Sequence, residues 1–204
     1  DISSMKGTEN PYALHSELAE AMISNVLIVR ENDKLQSTLD VIEDIESRWK
    51  DIECVDTQDW SNPVPSFVNQ LWNMIQLSKI ITMGALKRDE FRGSHYKPEF
   101  DLNQPDDFDP ADYLEYEEQK SNGGVHKDQF APSHVDYMER FEKNNEDWLK
   151  SSIATYNNGK PAVNFESVDA SLIAPRPRKY DWGRTAMPRM LKFKIKRQNS
   201  KDAA

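Results

Sequence analysis

Glycine is scarce in this chain of 204 residues, and its spacing excludes two classes of nucleotide site. No two of the seven glycines are separated by a single residue, so the sequence has no G-x-G-x-x-G and, by inspection, no G-x-x-x-x-G-K. A loop that cradles phosphates needs backbone N–H groups that no side chain obstructs, and glycine provides them. The sequence therefore excludes a standard dinucleotide site and a standard P-loop.

Cysteine and long apolar runs are also lacking. The single cysteine, Cys54, excludes an internal disulfide and a zinc site built on several cysteines. The four histidines have no metal-binding spacing within one helix, and there is no G-x-S-x-G nucleophile turn. We assign no catalytic, cofactor-binding or metal-ligating residue. No apolar run is long enough for a transmembrane helix or a secretory signal. The first residue is Asp1 rather than Met, so we interpret the chain as a piece of a longer protein.

Charge is divided unevenly along the chain. The formal net charge is −9, but residues 175–204 carry ten basic and two acidic side chains. Residues 101–118 contain eight acids and no base. Because opposite charges on one chain can satisfy each other, the basic tail does not by itself predict a nucleic-acid-binding arm.

Apolar spacing predicts an antiparallel three-helix bundle within residues 1–100. Asn10 followed by Pro11 is typical of a helix start, and the stripe that follows predicts a first helix over 11–30. A second helix begins at Asn32 or Asp33, with apolar residues close to a heptad spacing as far as Ile52. A third runs from about residue 66 to 90, and its expected apolar side comprises Leu71, Met74, Ile75, Leu77, Ile81 and Ala85. Short connections favour an up-down-up arrangement.

The remainder predicts irregular segments, one further helix and a small β-hairpin, which together give a mainly α fold. Residues 133–149 have helical spacing, and Asn158-Gly159 between two β-prone runs indicates a hairpin turn. Residues 101–132 include Pro105, Pro110 and the Gly123-Gly124 pair. Because the acidic part of this segment is expected to bury too little apolar surface to offset the cost of ordering, we expect 101–132 to be mobile. The predicted organisation is a bundle with its following loop over 1–100, an acidic insertion over 101–142, a helix end and hairpin over 143–182, and a basic tail over 183–204.

Unusual residues cluster outside any period directly after the third helix. Gly93 permits a turn with positive φ, and Arg92 and His95 present polar groups from that bend. We interpret Arg92, Gly93, His95 and Tyr96 as candidate domain-interface residues that tie the bundle to a neighbouring domain. The alternative is that they contact a substrate or cofactor held by that neighbour.

Six segments carry a family resemblance, in register along the chain. They are NPYALH at 10–15, VRENDKL at 29–35, EFRGSHYKPEF at 90–100, NEDWLK at 145–150, VDASLI at 168–173 and RPRKY at 176–180. Over roughly 5–100 and 143–182 the chain resembles the C-terminal helical domain of the succinate dehydrogenase flavoprotein subunit, in the fumarate reductase/succinate dehydrogenase family.

The resemblance implies a helical domain that packs on the upstream FAD-binding domain of the same subunit. The intact subunit would hold FAD, oxidise succinate to fumarate and pass electrons to an iron–sulfur subunit and then to quinone at a membrane-anchor subunit. It would lie at the cytoplasmic face of the cell membrane and bind no nucleic acid. The family's FAD and substrate residues all lie upstream, so this segment alone is expected to hold no FAD and to be inactive.

The chain also departs from the family pattern, and three other interpretations stay open. Phe91 and Ser94 replace the family's Ser and Ala, and the segment 101–142 and the basic tail are additional. Fumarate reductase and L-aspartate oxidase share the bundle and the Arg-Gly-x-His segment. A stand-alone helical interaction module would bind nucleic acid through its basic tail. The acidic body of the chain and the prolines among the basic residues argue against this interpretation. For the tail we favour an electrostatic tether to an anionic membrane over pairing with the chain's own acids or no specific partner.

Overall fold

The computed structural model describes residues 2–56, 58, 60–157 and 160–178. Within them the chain forms five α-helices and one β-hairpin, which confirms the mainly α fold. The elements are α1 (Pro11–Asn25), α2 (Asn32–Arg48), α3 (Val64–Lys87), α4 (Pro110–Ser121), α5 (Pro132–Trp148), β1 (Lys150–Asn157) and β2 (Lys160–Ser167). The chain divides into two compact units, Asp1–Leu102 with Lys143–Asp169 and Asn103–Glu142 with Ala170–Ala204.

Helix α1 starts where the sequence predicts and ends earlier. The Asn10 side chain accepts hydrogen bonds from the backbone N–H groups of Tyr12 and Ala13, which caps the helix. The predicted end at residue 30 is wrong, because α1 stops at Asn25. The backbone N–H of Arg30 donates to the carbonyl of Tyr96 at 2.9 Å instead. The backbone at residues 29 and 30 therefore pairs with Tyr96 in an isolated β-bridge in place of a further helical turn.

Side-chain contacts show that consecutive helices of the bundle run antiparallel, as predicted. The end of α1 lies beside the start of α2, where Asn25 donates to Thr38 at 3.0 Å. The end of α2 turns back along α1, where Arg48 pairs with Glu17 at 2.9 Å. The Trp49 indole, which follows α2, donates to the carbonyl of Val68 near the start of α3 at 3.0 Å.

The buried face of α3 differs from the apolar stripe expected from the sequence. Its buried residues are Val68, Leu71, Ile75, Ser78, Thr82 and Ala85. This is a heptad-like seam in which two small polar side chains occupy core positions. The Thr82 hydroxyl is satisfied by donating to the carbonyl of Ser78 at 2.8 Å. The expectation that Met74, Leu77 and Ile81 join the buried side is therefore wrong, and they are 36%, 60% and 50% exposed.

The predicted hairpin is present. Strands β1 and β2 pair antiparallel, with Ala154 opposite Val163 and Asn157 opposite Lys160. The predicted turn residues Asn158 and Gly159 lie outside the described residues. The Lys87 ammonium, at the end of α3, donates to the carbonyl of Val163 at 3.1 Å. This bond fixes the hairpin against the last turn of α3.

The acidic insertion contains a helix that the sequence analysis did not predict. Asp109 caps α4 by accepting from the backbone N–H of Ala111, and Pro110 takes the first helical position. Phe108 is fully buried, and Tyr113 and Tyr116 are each 4% exposed. The premise that this segment buries too little apolar surface to order is therefore wrong at these aromatic residues. Mobility of 101–132 stays a prediction.

The basic tail 183–204, and with it the proposed tether, lies outside the described residues. Among the helices of the described part, none combines the length and the apolar character needed to cross a bilayer.

Candidate functional site

Residues 92–96 form a tight turn directly after α3. The backbones of Arg92 and His95 exchange two hydrogen bonds of 3.1 and 3.0 Å. Gly93 lies inside this turn with φ = 60°, which confirms the expected positive φ. The Tyr96 ring packs edge-on against Phe91 with ring centroids 4.8 Å apart. The four predicted interface residues therefore belong to one structural feature.

Hydrogen bonds to both ring nitrogens determine the tautomer of His95. Its Nδ1 lies 2.6 Å from the Arg30 guanidinium, which can only donate. Nδ1 must therefore accept, and Nε2 carries the proton, which it donates to the carbonyl of Arg88 at 2.8 Å. The imidazole is thus neutral and joins the loop after α1 to the end of α3.

Burial favours this neutral form. Burial lowers the pKa of His95 below its usual value, the charges of Arg30, Lys97 and Arg88 lower it further, and the hydrogen bond to the Arg88 carbonyl partly opposes the shift. The folded state then binds fewer protons than the unfolded state between the folded pKa and about 6.5. The contribution of His95 to stability is accordingly complete above about pH 6.5 and is lost as the pH falls toward the folded pKa.

A fully buried carboxylate organises the other side of the turn. Glu90 is 0% exposed and accepts from Arg88 at 2.6 Å and from Arg92 at 2.8 Å. Asn144 donates to the same carboxylate at 3.3 Å, and Arg92 also donates to the side chain of Asn145 at 2.9 Å. Arg92, predicted to face a neighbouring domain, is thus paired inside its own unit.

Arg88 extends this network to the hairpin. It donates to the carbonyl of Trp148 at 2.7 Å and to that of Lys150 at 2.9 Å. Its guanidinium carbon also lies 6.0 Å from the centroid of the Trp148 ring and 5.8 Å from that of Phe165. The planar Arg88 guanidinium thus both donates hydrogen bonds and contacts two aromatic rings, and these interactions hold the hairpin at the end of α3.

Lys97 is a second buried cation and has three partners. Its side chain is 1% exposed and pairs with Asp89 at 2.9 Å. The ammonium also donates to the Asn32 side chain at 2.7 Å and to the carbonyl of Leu86 at 3.1 Å. These three acceptors match its three protons.

We call the seven charged or titratable groups of this region the basic cluster. It comprises Arg30, Arg88, Asp89, Glu90, Arg92, His95 and Lys97. With His95 neutral, four cations face two carboxylates, so the basic cluster carries a charge of +2. Glu90 pairs with Arg88 and Arg92, and Asp89 pairs with Lys97. Among the described residues Arg30 has no ion-pair partner, and burial lowers its pKa.

A groove of about 340 Å³ lies between α3 and the hairpin, beside the basic cluster. Its walls are Arg30, Ile80, Ile81, Gly84, Ala85, Arg88, His95, Ser152, Ala154 and Val163. Gly84 lies inside α3, where glycine is less favourable than alanine by about 1 kcal/mol. A Cβ built on it would meet no atom within 4 Å. Packing within the described part of the chain therefore does not require glycine here.

Sequence reasoning missed Arg30, Arg88 and Glu90 as site residues. Arg30 and His95 are 65 positions apart, so no local period connects them. Arg88 and Glu90 lie where the third helix was expected to continue, and that expectation concealed their role. The extended backbone at Arg88 ends α3 at Lys87 and turns these side chains toward the hairpin.

Two further observations describe the part of the chain that contains the groove. No group of three or more potential metal ligands occurs among the described residues. The sheet of the described part is an antiparallel hairpin, whereas a dinucleotide fold needs a parallel strand–helix–strand unit. The groove has apolar walls and one guanidinium, that of Arg30, for which the described residues provide no carboxylate partner.

Comparison with known proteins identifies relatives. The family described as "Fumarate reductase flavoprotein C-term" matches residues 15–180. The succinate dehydrogenase flavoprotein subunit of Bacillus subtilis is 40% identical over 88% of this chain and 24% of its own length. The fumarate reductase flavoprotein subunit of Proteus vulgaris is 23% identical over 95% of this chain and 26% of its own length.

A solved structure shares the fold. The quinol fumarate reductase of E. coli superposes with a TM-score of 0.61 at 18% identity, covering 87% of this chain and 24% of that one. The chain thus spans about a quarter of the length of the relatives that it matches.

Proposed function

This chain belongs to the family of fumarate reductase flavoprotein C-terminal domains, and we propose that it is the helical domain of a subunit that oxidises succinate to fumarate. The observation that supports succinate oxidation is the 40% identity with the Bacillus subtilis succinate dehydrogenase flavoprotein subunit over most of the chain. The family is one of oxidoreductase flavoproteins, so the intact subunit is proposed to hold FAD.

The contribution of this domain is positional. FAD, when bound to the intact subunit, supplies the redox chemistry. In this chain one surface is formed by α3, the turn at 92–95 and the hairpin. Hydrogen bonds of Arg88 and Glu90 hold these three parts together. We propose that this surface faces the upstream FAD-binding domain of the same polypeptide.

The proposed partners follow from the same family membership. They are an iron–sulfur subunit that receives the electrons and, through it, a membrane-anchor subunit with bound quinone. The proposed location is the cytoplasmic face of the cell membrane, and nucleic acid is not a proposed partner. The excess of acidic residues over the body of the chain supports the last point, because nucleic acid repels a negative surface.

The experiment that tests this function compares the intact subunit with the chain alone. The intact subunit should purify with stoichiometric flavin and reduce an artificial electron acceptor when given succinate. The chain of 204 residues alone should be colourless and inactive. An intact subunit without flavin, or succinate oxidation by the chain alone, would contradict the proposal.

Fumarate reduction is the second candidate. The likeness to the Proteus vulgaris subunit over 95% of the chain favours it. The ratio of fumarate reduction to succinate oxidation by the assembled enzyme separates the two. L-aspartate is the third substrate to test, because oxidation of L-aspartate alone would indicate an L-aspartate oxidase. Tight nucleic-acid binding by an isolated, folded chain would instead favour a stand-alone interaction module.

A further inference from the structure

Two features of the groove between α3 and the hairpin stand out. One is an excess of positive charge, and the other is a glycine inside α3, Gly84, that leaves space on the groove wall. Arg30 donates through Nε to the carbonyl of Val26 at 2.7 Å and through one terminal nitrogen to His95 at 2.6 Å. These bonds hold its guanidinium at the groove wall. Within the described residues it forms no ion pair, and the nearby carboxylates of Asp89 and Glu90 pair with other cations.

Such a guanidinium, half-buried beside apolar walls, is suited to an incoming carboxylate. Arginine presents a planar fork that matches a carboxylate, and exclusion of water strengthens the pair. The neutral tautomer of His95 contributes, because an imidazolium would repel Arg30 and could not accept its hydrogen bond.

Gly84 gives an independent indication that something enters the groove. Glycine weakens a helix interior, and here no neighbour within 4 Å requires the absence of a side chain. A second chain that packs closely on α3 would require it. Ile81, one helical turn earlier on the same groove wall, is 50% exposed and would be covered by the same contact.

We propose that the groove receives a segment of the upstream part of the same subunit, whose aspartate or glutamate pairs with Arg30 while its backbone passes Gly84. This inference rests on the proposed function. The upstream part is the occupant to expect because the match covers only 24% of the Bacillus subtilis relative, and a covalently attached segment is present at high effective concentration.

The test uses the intact subunit with a protease site inserted ahead of residue 1, so that both parts fold while connected and are then separated. The dissociation constant of the two parts is measured after cutting. Arg30→Gln should raise it at least about tenfold, because the incoming carboxylate loses a desolvated partner. Arg30→Lys should have a smaller effect, because it keeps the charge without the fork.

Gly84→Leu serves as a second variant that leaves Arg30 and its hydrogen bonds unchanged. Leucine is a good helix former and its Cβ would meet no described atom within 4 Å, so folding should persist while the longer side chain extends into the groove. We expect it to raise the dissociation constant by at least about tenfold as well. Lys34→Gln is the matched control, because Lys34 is half-exposed and its one ion-pair partner among the described residues is Glu31.

A photo-crosslinking amino acid at position 154, on the groove wall, identifies the occupant. Crosslinking to an upstream peptide that contains an aspartate or glutamate would support the proposal. Crosslinking instead to a second copy or to the iron–sulfur subunit would overturn it. If the unchanged parts separate fully after cutting, the docking role under the proposed function fails as well. If they stay together but neither Arg30→Gln nor Gly84→Leu weakens them, only the groove assignment fails.

Discussion

Replacing Glu90 with glutamine removes the one carboxylate that Arg88 and Arg92 share. Glu90 is fully buried, while the Arg88 and Arg92 side chains are 15% and 34% exposed. Removing one partner of a buried ion pair costs about 3–5 kcal/mol, because the remaining charge is left without compensation. Water reaches part of Arg92, and the glutamine oxygen still accepts one hydrogen bond. We therefore expect Glu90→Gln to lower the free energy of unfolding by about 3 kcal/mol, at the low end of that range.

The loss should have a local signature at the hairpin. Arg88 donates to the carbonyls of Trp148 and Lys150, and Glu90 holds Arg88 in that position. Hydrogen exchange should therefore accelerate in β1 and β2 more than in α1. The free energy itself is measured by denaturant unfolding monitored by circular dichroism.

Two further variants calibrate the measurement. Arg92→Gln leaves Glu90 paired with Arg88, so we expect a loss of only about 1–2 kcal/mol. Glu31→Gln removes an exposed pair with Lys34, in which both side chains are 52% exposed, and should change stability by less than about 0.5 kcal/mol. A Glu90→Gln loss no larger than that of Glu31→Gln, with unchanged exchange in the hairpin, would refute the reasoning.

Three other predictions concern pH, the insertion and the tail. Between about pH 6.5 and 5 the melting temperature should fall less for His95→Gln than for the unchanged chain, because burial lowers the pKa of His95; parallel curves would contradict this. Limited proteolysis should cut first within 101–132, most readily at the glycine pair that follows α4, and a first cut inside α1 to α3 would argue against it. The chain should bind anionic vesicles at low salt more tightly than a version ending at Trp182, and the difference should vanish near 1 M salt, where the Debye length is about 3 Å; equal binding by both versions would exclude the tether.

The sequence predicted most of the unit that contains the bundle because its elements obey local rules. Asn10 and Pro11 mark the start of α1, and the Asn-Gly pair predicts the strands on either side of it. Periodicity failed at α3, where two core positions are Ser78 and Thr82. A hydroxyl that donates to the preceding helical turn can be buried at little cost, and an apolar stripe does not reveal it.

The insertion shows how composition can conceal a local signal. Eight acids without a base in 101–118 are typical of a solvated segment, and this composition conceals the helix signal within it. Yet Asp109 followed by Pro110 is the same helix-start pattern as Asn10 followed by Pro11, which marks the start of α1. The aromatic residues beside it bury enough surface to pack α4 against α5, with Tyr113 and Phe141 5.4 Å apart.

The groove could not be found from local patterns, because the residues that line it are distant from one another in the sequence. The sequence singled out Arg92 and His95 as an unusual cluster, but in the structure Arg92 pairs with Glu90, whereas Arg30 has no carboxylate partner among the described residues. Which of these arginines has an ion-pair partner can be seen only in the three-dimensional structure. Gly84 is similar, because in the sequence it is only a residue of low helix propensity inside a predicted helix. In the structure it has open space around it among the described residues and lines the same groove as Arg30, and these two features together support the proposed docking of an upstream segment there.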